Sequence, residues 1–321
     1  MSKAPVKLGV NRLAFGCSSL MGGISRRQSL KLLECAYDSG VRHFDVARSY
    51  GYGEAESVLG DFLQSKRDRV SVTTKVGIDP FIASSSYYRA ARHLLRPLVR
   101  RFPGLSRGVR RVAAAPVRRV PLTPKVLTDS LHLSLKKLRV EKVDLLLLHE
   151  CDLLAASSEE LIARLDALVM AGDIGSYGVG ASVLTTRSLI SGKAAYPVFQ
   201  FENNPIAKTG DIVTHARAIG STAITHRSVG LILENCSKRL KDKNVRSHWS
   251  NILDFDAGDS CELARMFVRY SLTRNMFGPV IFSTRNEERI RSNCETSTSP
   301  LSEKMMKSLE TMCELLSNTG D

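Results

Sequence analysis

The sequence predicts a single (β/α)8 barrel, and three observations predict it. Eight short apolar runs recur along the 321 residues, several of them Val/Ile/Leu-rich, as parallel strands buried on both faces must be. Helical periodicity fills most of the gaps between those runs. Asp45, Tyr50, Lys75 and His149 each follow or end such a run, and the C-terminal ends of the strands are where a barrel of this kind keeps its chemistry.

The predicted strands are Arg12–Cys17, His43–Ala47, Val70–Val76, Val143–His149, Tyr177–Ala181, Val198–Glu202, Thr222–His226 and Val280–Ser283. Between the first two, Arg27–Ser39 places Leu30, Leu33, Ala36 and Tyr37 on one helical face. Glu54–Gln64 does the same with Val58, Leu59 and Phe62. Thr123 and Pro124 open a further helix with a cap and a Pro in its first turn, and Leu131, Leu135 and Leu138 follow. Ser157–Ala171 begins SSEE, an acidic first turn that suits the helix dipole. Thr209–Ala218, Ser260–Leu272 and Glu287–Asn293 complete the helical set.

Three stretches depart from this alternation. Residues 80–125 form a basic insertion after the third strand, with ten Arg, one Lys and no acid. Without that stretch the net charge of +14 falls to +3, so the basicity is local and is no general nucleic-acid footprint. Within it, Tyr87–Arg101 can form a helix interrupted by Pro97. Leu231–Ser260 reads as a polar loop holding the only Trp, Trp249. A C-terminal tail, 294–321, is Ser/Thr-rich and then helical from Leu301 to Leu316. All of these belong to one domain spanning 1–321. No run of eighteen apolar residues predicts a membrane span, and the N-terminus lacks a signal-peptide core. The seven cysteines are scattered and form no CxxC pair, which suits reduced thiols in a cytoplasm and argues against a metal site.

The four active side chains suit one chemical need, a phenol made able to donate a proton near neutral pH. Tyr titrates near about 10, and a nearby ammonium favours its phenolate. Lys75 supplies the ammonium, Asp45 holds it, and His149 orients a substrate oxygen. Taken singly, each residue also has an ordinary reading as rim packing, a solvated strand end or a satisfied core histidine. It is their order and context that join them.

HFDVARSYGYGE at 43–54, TTKVG at 73–77 and DLLLLH at 144–149 resemble the signatures of the aldo-keto reductase family. The resemblance continues through GSYGVGAS at 175–182, VFQFENN at 198–204 and VIFSTRNEERIRSN at 280–293. It implies hydride transfer between NADP(H) and the carbonyl or alcohol of a small substrate, with Tyr50 as acid and base. It further implies Ser283 and Thr284 at the cofactor phosphates, Arg285 and Arg289 at the 2′-phosphate, Asn293 at the adenine and Gln200 at the nicotinamide amide. A hydroxyl pair and two Arg at a helix N-terminus have the chemistry for that task; the alternative is that both Arg pair with Glu287, Glu288 or another acid on an exposed helix. Where the family commonly ends its fifth strand in SerAsn, this chain has Gly180-Ala181, and Ser182 stands in for the missing contact. On the seventh strand, His226 or Arg227 covers the nicotinamide or packs at the rim. A polar rim of His226, Arg227 and Asn203 or Asn204 leans toward a sugar or other hydroxylated carbonyl.

For the basic insertion three readings stand: a lid for an anionic substrate, a contact to an anionic membrane or acidic partner, and a solvated elaboration. No nucleic-acid module accompanies the charge. The expected state is a cytoplasmic monomer. The rival function is a nucleotide-binding regulatory or partner-binding subunit on the same fold, with little turnover; a binding module has no need of Tyr50.

Overall fold

The computed structural model describes residues 12–80, 118–192, 194, 196–296 and 299–317. Eight strands close into an all-parallel barrel: β1 (Leu13–Gly16), β2 (His43–Asp45), β3 (Ser71–Val76), β6 (Val143–His149), β7 (Ile174–Gly180), β8 (Val198–Glu202), β9 (Thr222–His226) and β10 (Val280–Phe282). β10 returns to pair with β1, with Leu13 opposite Val280. The other two strands, β4 (Ile78–Asp79) and β5 (Arg118–Arg119), form a small antiparallel ladder outside the barrel.

Alternation along the strands sorts every residue inward or outward. Ala14, Leu145, Leu147, Val198, Ile224 and Ile281 form a compact buried cluster of inward-facing positions. Two residues further toward the C-terminal ends come Gly16, His149, Gln200, His226 and Ser283. Lys75 is register partner of Leu147, and Asp45 of Gly16. The apolar plug therefore carries a polar layer on its C-terminal side, and the expected catalytic side chains are part of that layer.

The outward positions face the helices. Phe15 and Phe44 lie on this side, and Phe44 packs 5.0 Å from Phe62, centroid to centroid. Phe62 belongs to α2 (Ala55–Leu63), which sits beside α1 (Arg26–Asp38). Ser25 and Gln28 form a reciprocal capping box at the start of α1. Thr123 caps α3 (Pro124–Leu138), with Pro at its first turn as expected. A short turn, α4 (Leu153–Ala156), precedes α5 (Glu159–Ala171), which Ser158 caps and Gly172 ends in the left-handed conformation.

Two expectations change. The sequence shows no helix between the fifth and sixth barrel strands, yet α6 (Val183–Ser191) lies there, capped by Ser182. Its buried stripe is only Thr186, Leu189 and Ile190, too thin a pattern to stand out. After α7 (Gly210–Ala218), Leu231–Ser260 is not a polar loop. It holds α8 (Gly230–Arg239) and α9 (Lys243–Leu253), the second capped by Asp242. Together with α10 (Ser260–Arg274) and the C-terminal α12 (Glu303–Ser317), they build a second core around Ile232, Cys236, Trp249, Leu253, Leu309 and Met312. Trp249 anchors that core. The predicted tail helix is α12, and α11 (Glu287–Glu295) precedes it. Residues 81–117, most of the basic insertion, lie outside the described residues, and so does the helix expected at Tyr87–Arg101.

Candidate active site

Asp45 ends β2, Lys75 lies on β3, and His149 ends β6. Tyr50 opens the tight turn Tyr50–Gly53, pinned by its amide to the Ala47 carbonyl at 3.0 Å. The turn needs Gly51: its φ is +56°, and a Cβ there would stand 2.6 Å from the Leu20 carbonyl oxygen. The chain thus doubles back against the loop after β1 and presents the Tyr50 hydroxyl to the barrel mouth.

The structure brings the four residues together. Lys75 is 2% exposed and Asp45 3%. The Lys75 ammonium pairs with Asp45 Oδ1 and donates to Tyr50 Oη at 3.2 Å. The His149 ring stands edge-on to Tyr50, centroids 6.0 Å apart. The second Asp45 oxygen is also occupied: Gln200 Nε2 donates to Oδ2 at 2.7 Å.

Burial sets the charges. It pushes the Tyr50 phenol above its ordinary value, with the Lys75 charge and hydrogen bond opposing the rise. The Lys75 contribution thus has the expected sign, but burial outweighs it and the net shift of the phenol is upward. For Lys75, burial works against the charged form, yet Asp45 and Tyr50 outweigh it and the ammonium persists. Burial, then the Lys75 charge, lower His149 to about 3. His149 is therefore a neutral imidazole, and its buried Nδ1 has no hydrogen-bond partner among the described residues. A neutral ring beside a protonated phenol can orient a carbonyl oxygen without competing for the proton.

His43 sits one layer below, fully buried, with its ring nitrogens 2.8 Å from Ser71 Oγ and 3.1 Å from Thr73 Oγ1. Burial lowers it to about 4, with Asp45 and Asp144 opposing. The unfolded chain binds this proton near pH 6.5 and the native state resists it. The neutral ring's stability is therefore full above about pH 6.5 and is lost as pH falls toward 4. Urea unfolding is expected to show about 2 kcal/mol less stability at pH 5 than at pH 7 from this ring. His43→Gln should lessen the pH slope by about this amount, His149 and His226 keeping their own shares, and an unchanged slope would remove His43 as a contributor.

At the other end of the mouth, β10 runs into Ser283, Thr284 and Arg285, and Asn286 caps α11 by accepting from the Arg289 amide at 3.2 Å. Ser18 Oγ donates to Ser283 Oγ at 3.3 Å, and Ser19 Oγ to the Thr284 carbonyl at 3.1 Å, so the loops after β1 and β10 meet. The Arg285 guanidinium lies over Gly22 and Gly23. Neither Arg285 nor Arg289 has a carboxylate partner among the described residues, because Glu287 pairs with Arg291 instead. Two exposed cations beside a helix N-terminus fit an anion with phosphate chemistry. Asn293 lies on α11, one of the residues of its last turns. Ser182 lies two residues past the end of β7 as the N-cap of α6, and its hydroxyl is engaged: it accepts from the Thr185 amide at 3.1 Å and donates to Thr185 Oγ1 at 3.0 Å. No metal-binding cluster of His, Cys, Asp or Glu exists among the described residues.

Three contacts were not visible in the sequence. Gln200 bonds Asp45 across 155 positions. Arg48, buried in the segment leading to Tyr50, pairs with Asp79 of β4 at 2.6 Å. Arg119 of β5 pairs with Glu150, the residue after His149, at 2.5 Å. The small ladder is thus tied to the Tyr50 loop on one side and the His149 loop on the other. A groove of about 520 Å³ between α7 and α10, lined by Lys208, Arg217, Arg274 and Phe277, contains none of the expected site residues.

Comparison with known proteins follows the same outline. The model of the Aldo/keto reductase family matches residues 12–314. Pyridoxal 4-dehydrogenase of Microbacterium luteolum is 45% identical over 73 residues, 22% of this chain and 21% of that protein. D-threo-aldose 1-dehydrogenase of a Pseudomonas species is 30% identical over 191 residues, 56% of this chain and 53% of that protein. The matched stretches thus span about half or less of those relatives' own length. A solved aldo-keto reductase from Bacillus halodurans in its holo form superposes with a TM-score of 0.72 at 16% identity, covering 97% of this chain and 95% of that one. At that identity the likeness shows the fold.

Proposed function

The chain belongs to the aldo/keto reductase family, and from that premise we propose that it is an NADP(H)-dependent oxidoreductase acting on a small hydroxylated carbonyl or alcohol. The observation that carries this reading is the unbroken contact chain from Asp45 through Lys75 to the Tyr50 hydroxyl, with the His149 ring beside it. A pure binding module has no use for such a chain. When bound, the nicotinamide supplies the hydride. Tyr50 gives its proton to the carbonyl oxygen in reduction and takes it back in oxidation. Lys75 holds the Tyr50 oxygen in place, Asp45 holds Lys75, and neutral His149 orients the substrate oxygen.

For the cofactor, the free guanidinium groups of Arg285 and Arg289 support NADP(H) over NAD(H) as the dinucleotide held. In this proposal Ser283 and Thr284 meet the phosphates, Asn293 the adenine, and Gln200 and Ser182 the nicotinamide carboxamide. Arg285→Ala is expected to weaken NADPH binding by about tenfold or more, the scale of one charge-assisted contact, with little change for NADH. Fluorescence titration with both nucleotides checks it. Equal losses for the two would remove Arg285 from the 2′-phosphate.

The substrate class rests on His226 and Arg227 and on relatives named for an aldose and for pyridoxal; Asn203 and Asn204, expected at the same rim, are instead buried, with their amides bonded to neighbouring backbone and side chains. The first functional test is NADPH consumption across a panel of alkyl, aromatic and hydroxylated aldehydes and ketones. Turnover favouring the hydroxylated set is the expected result. Tight nucleotide binding without turnover of any carbonyl would overturn the enzyme reading. No helix of the described residues is long and apolar enough to cross a membrane. The cysteines of the described residues are all free, and a monomer in a reducing, cytoplasmic setting completes the proposal.

A further inference from the structure

Gln200 lies on β8, four strands from β2 in either direction around the barrel, yet its side chain reaches Asp45. Both groups are buried, Gln200 at 4% exposure and Asp45 at 3%. A carboxylate only accepts, so the amide atom 2.7 Å from Oδ2 is the nitrogen. The contacts then run in one line: Gln200 Nε2 to Asp45 Oδ2, Asp45 Oδ1 to Lys75 Nζ, Lys75 Nζ to Tyr50 Oη.

We propose that Gln200 is a positioning residue for the proton donor: its amide N–H fixes Asp45, which fixes Lys75, which fixes the Tyr50 hydroxyl. The inference rests on Tyr50 being the acid of the proposed reaction and goes beyond any contact of Gln200 with the cofactor. A carboxylate held on one oxygen only can rotate about its χ2, and its partner ammonium moves with it. Held on both, it is locked, and the lock is made of a group without charge that cannot compete with Lys75 for a proton. The donor end of the amide also offsets part of the Asp45 charge felt further along the line. Its remaining atom, Oε1, is left as the acceptor for a ligand N–H, so a ligand bound there would press on the same line.

The other groups facing Asp45 and Tyr50 define what else can titrate. Cys17 approaches from β1, His149 from β6 and His226 from β9, and His43 lies below on β2. Both His149 and His226 are held neutral by burial, lowered to about 3 and about 4. The three histidines therefore keep their charge across the alkaline range in which the phenol titrates, and burial raises the Cys17 thiol well above its ordinary value.

The test is the Tyr50 titration itself, read by ¹³C NMR of tyrosine-labelled protein without cofactor, with Tyr50→Phe to assign the signal. Gln200→Leu removes the donor and is expected to move the Tyr50 midpoint up by about one pH unit, the scale of a hydrogen bond to a charged group. Gln200→Glu puts a negative charge in its place and should move it further in the same direction. That order, Glu above Leu above wild type, is one a merely structural role does not produce. Carbonyl reduction in Gln200→Leu should fall about tenfold. An unmoved Tyr50 midpoint in both variants overturns the proposal. A wild-type protein that reduces no carbonyl at all would count against the proposed function, while the titration would still decide the role of Gln200.

Discussion

Replacing Tyr50 with Phe is expected to lower carbonyl reduction by roughly 10³-fold, the range that a positioned acid supplies, while leaving cofactor affinity within about twofold of wild type. The change is confined to one oxygen. The ring keeps its edge-on contact with His149, and the loop keeps the Gly51 turn that sets its path. Lys75 loses one acceptor but retains Asp45. Steady-state NADPH oxidation alongside a fluorescence titration separates the two effects. Turnover within about tenfold of wild type would remove Tyr50 as the acid. The pH behaviour of the wild type has a sign as well. Because burial raises the phenol, Tyr50 stays protonated through neutrality, so reduction should be flat there and fall only at alkaline pH. Oxidation needs the phenolate and should rise over the range in which reduction falls.

Lys75→Met is expected to cost both activity and about 3–5 kcal/mol of stability, the penalty for leaving a buried charge without its partner. Asp45 would then keep only the Gln200 amide in a setting without solvent. Urea unfolding at pH 7 reads the loss. The double variant Asp45→Asn with Lys75→Met removes both charges and should recover a large part of the stability while staying inactive. A cycle over the two sites measures that coupling. If the single Lys75→Met change costs less than about 1 kcal/mol, the pair is solvated and does not hold Tyr50 in a dry contact.

Much of the barrel was legible in the sequence because its strands are apolar runs with chemistry at their ends. β6, with VDLLLLH, is the clearest case: its inward positions Leu145, Leu147 and His149 follow from alternation alone. The four catalytic candidates were legible for the same reason, since each sits at or just past a strand end. What stayed hidden depends on partners distant in sequence. α8 and α9 are mostly polar helices whose few apolar residues gain meaning only against α12. Ser182 reads equally as a ligand contact or a helix cap, and capping became visible only once α6 existed. The net direction of the Tyr50 shift needed the burial of its surroundings, which no local motif encodes. The Gln200 contact joins residues on strands far apart in the chain, and no spacing announces it.

The small ladder of β4 and β5 has a consequence for how this chain can vary. Asp79 and Arg118 stand opposite each other, about one strand spacing apart, roughly 5 Å. The chain therefore departs and rejoins at a single doorstep whose two jambs are already bonded. Whatever length of sequence joins those two points, the ends are brought together by the ladder, and each doubling of that length adds only about 0.6 kcal/mol of closure entropy. Exchange of the intervening stretch leaves the frames of β3 and α3 where they are. Such a doorstep is a natural graft point, at which an engineer can trim the intervening stretch to a two-residue turn or seat a foreign domain.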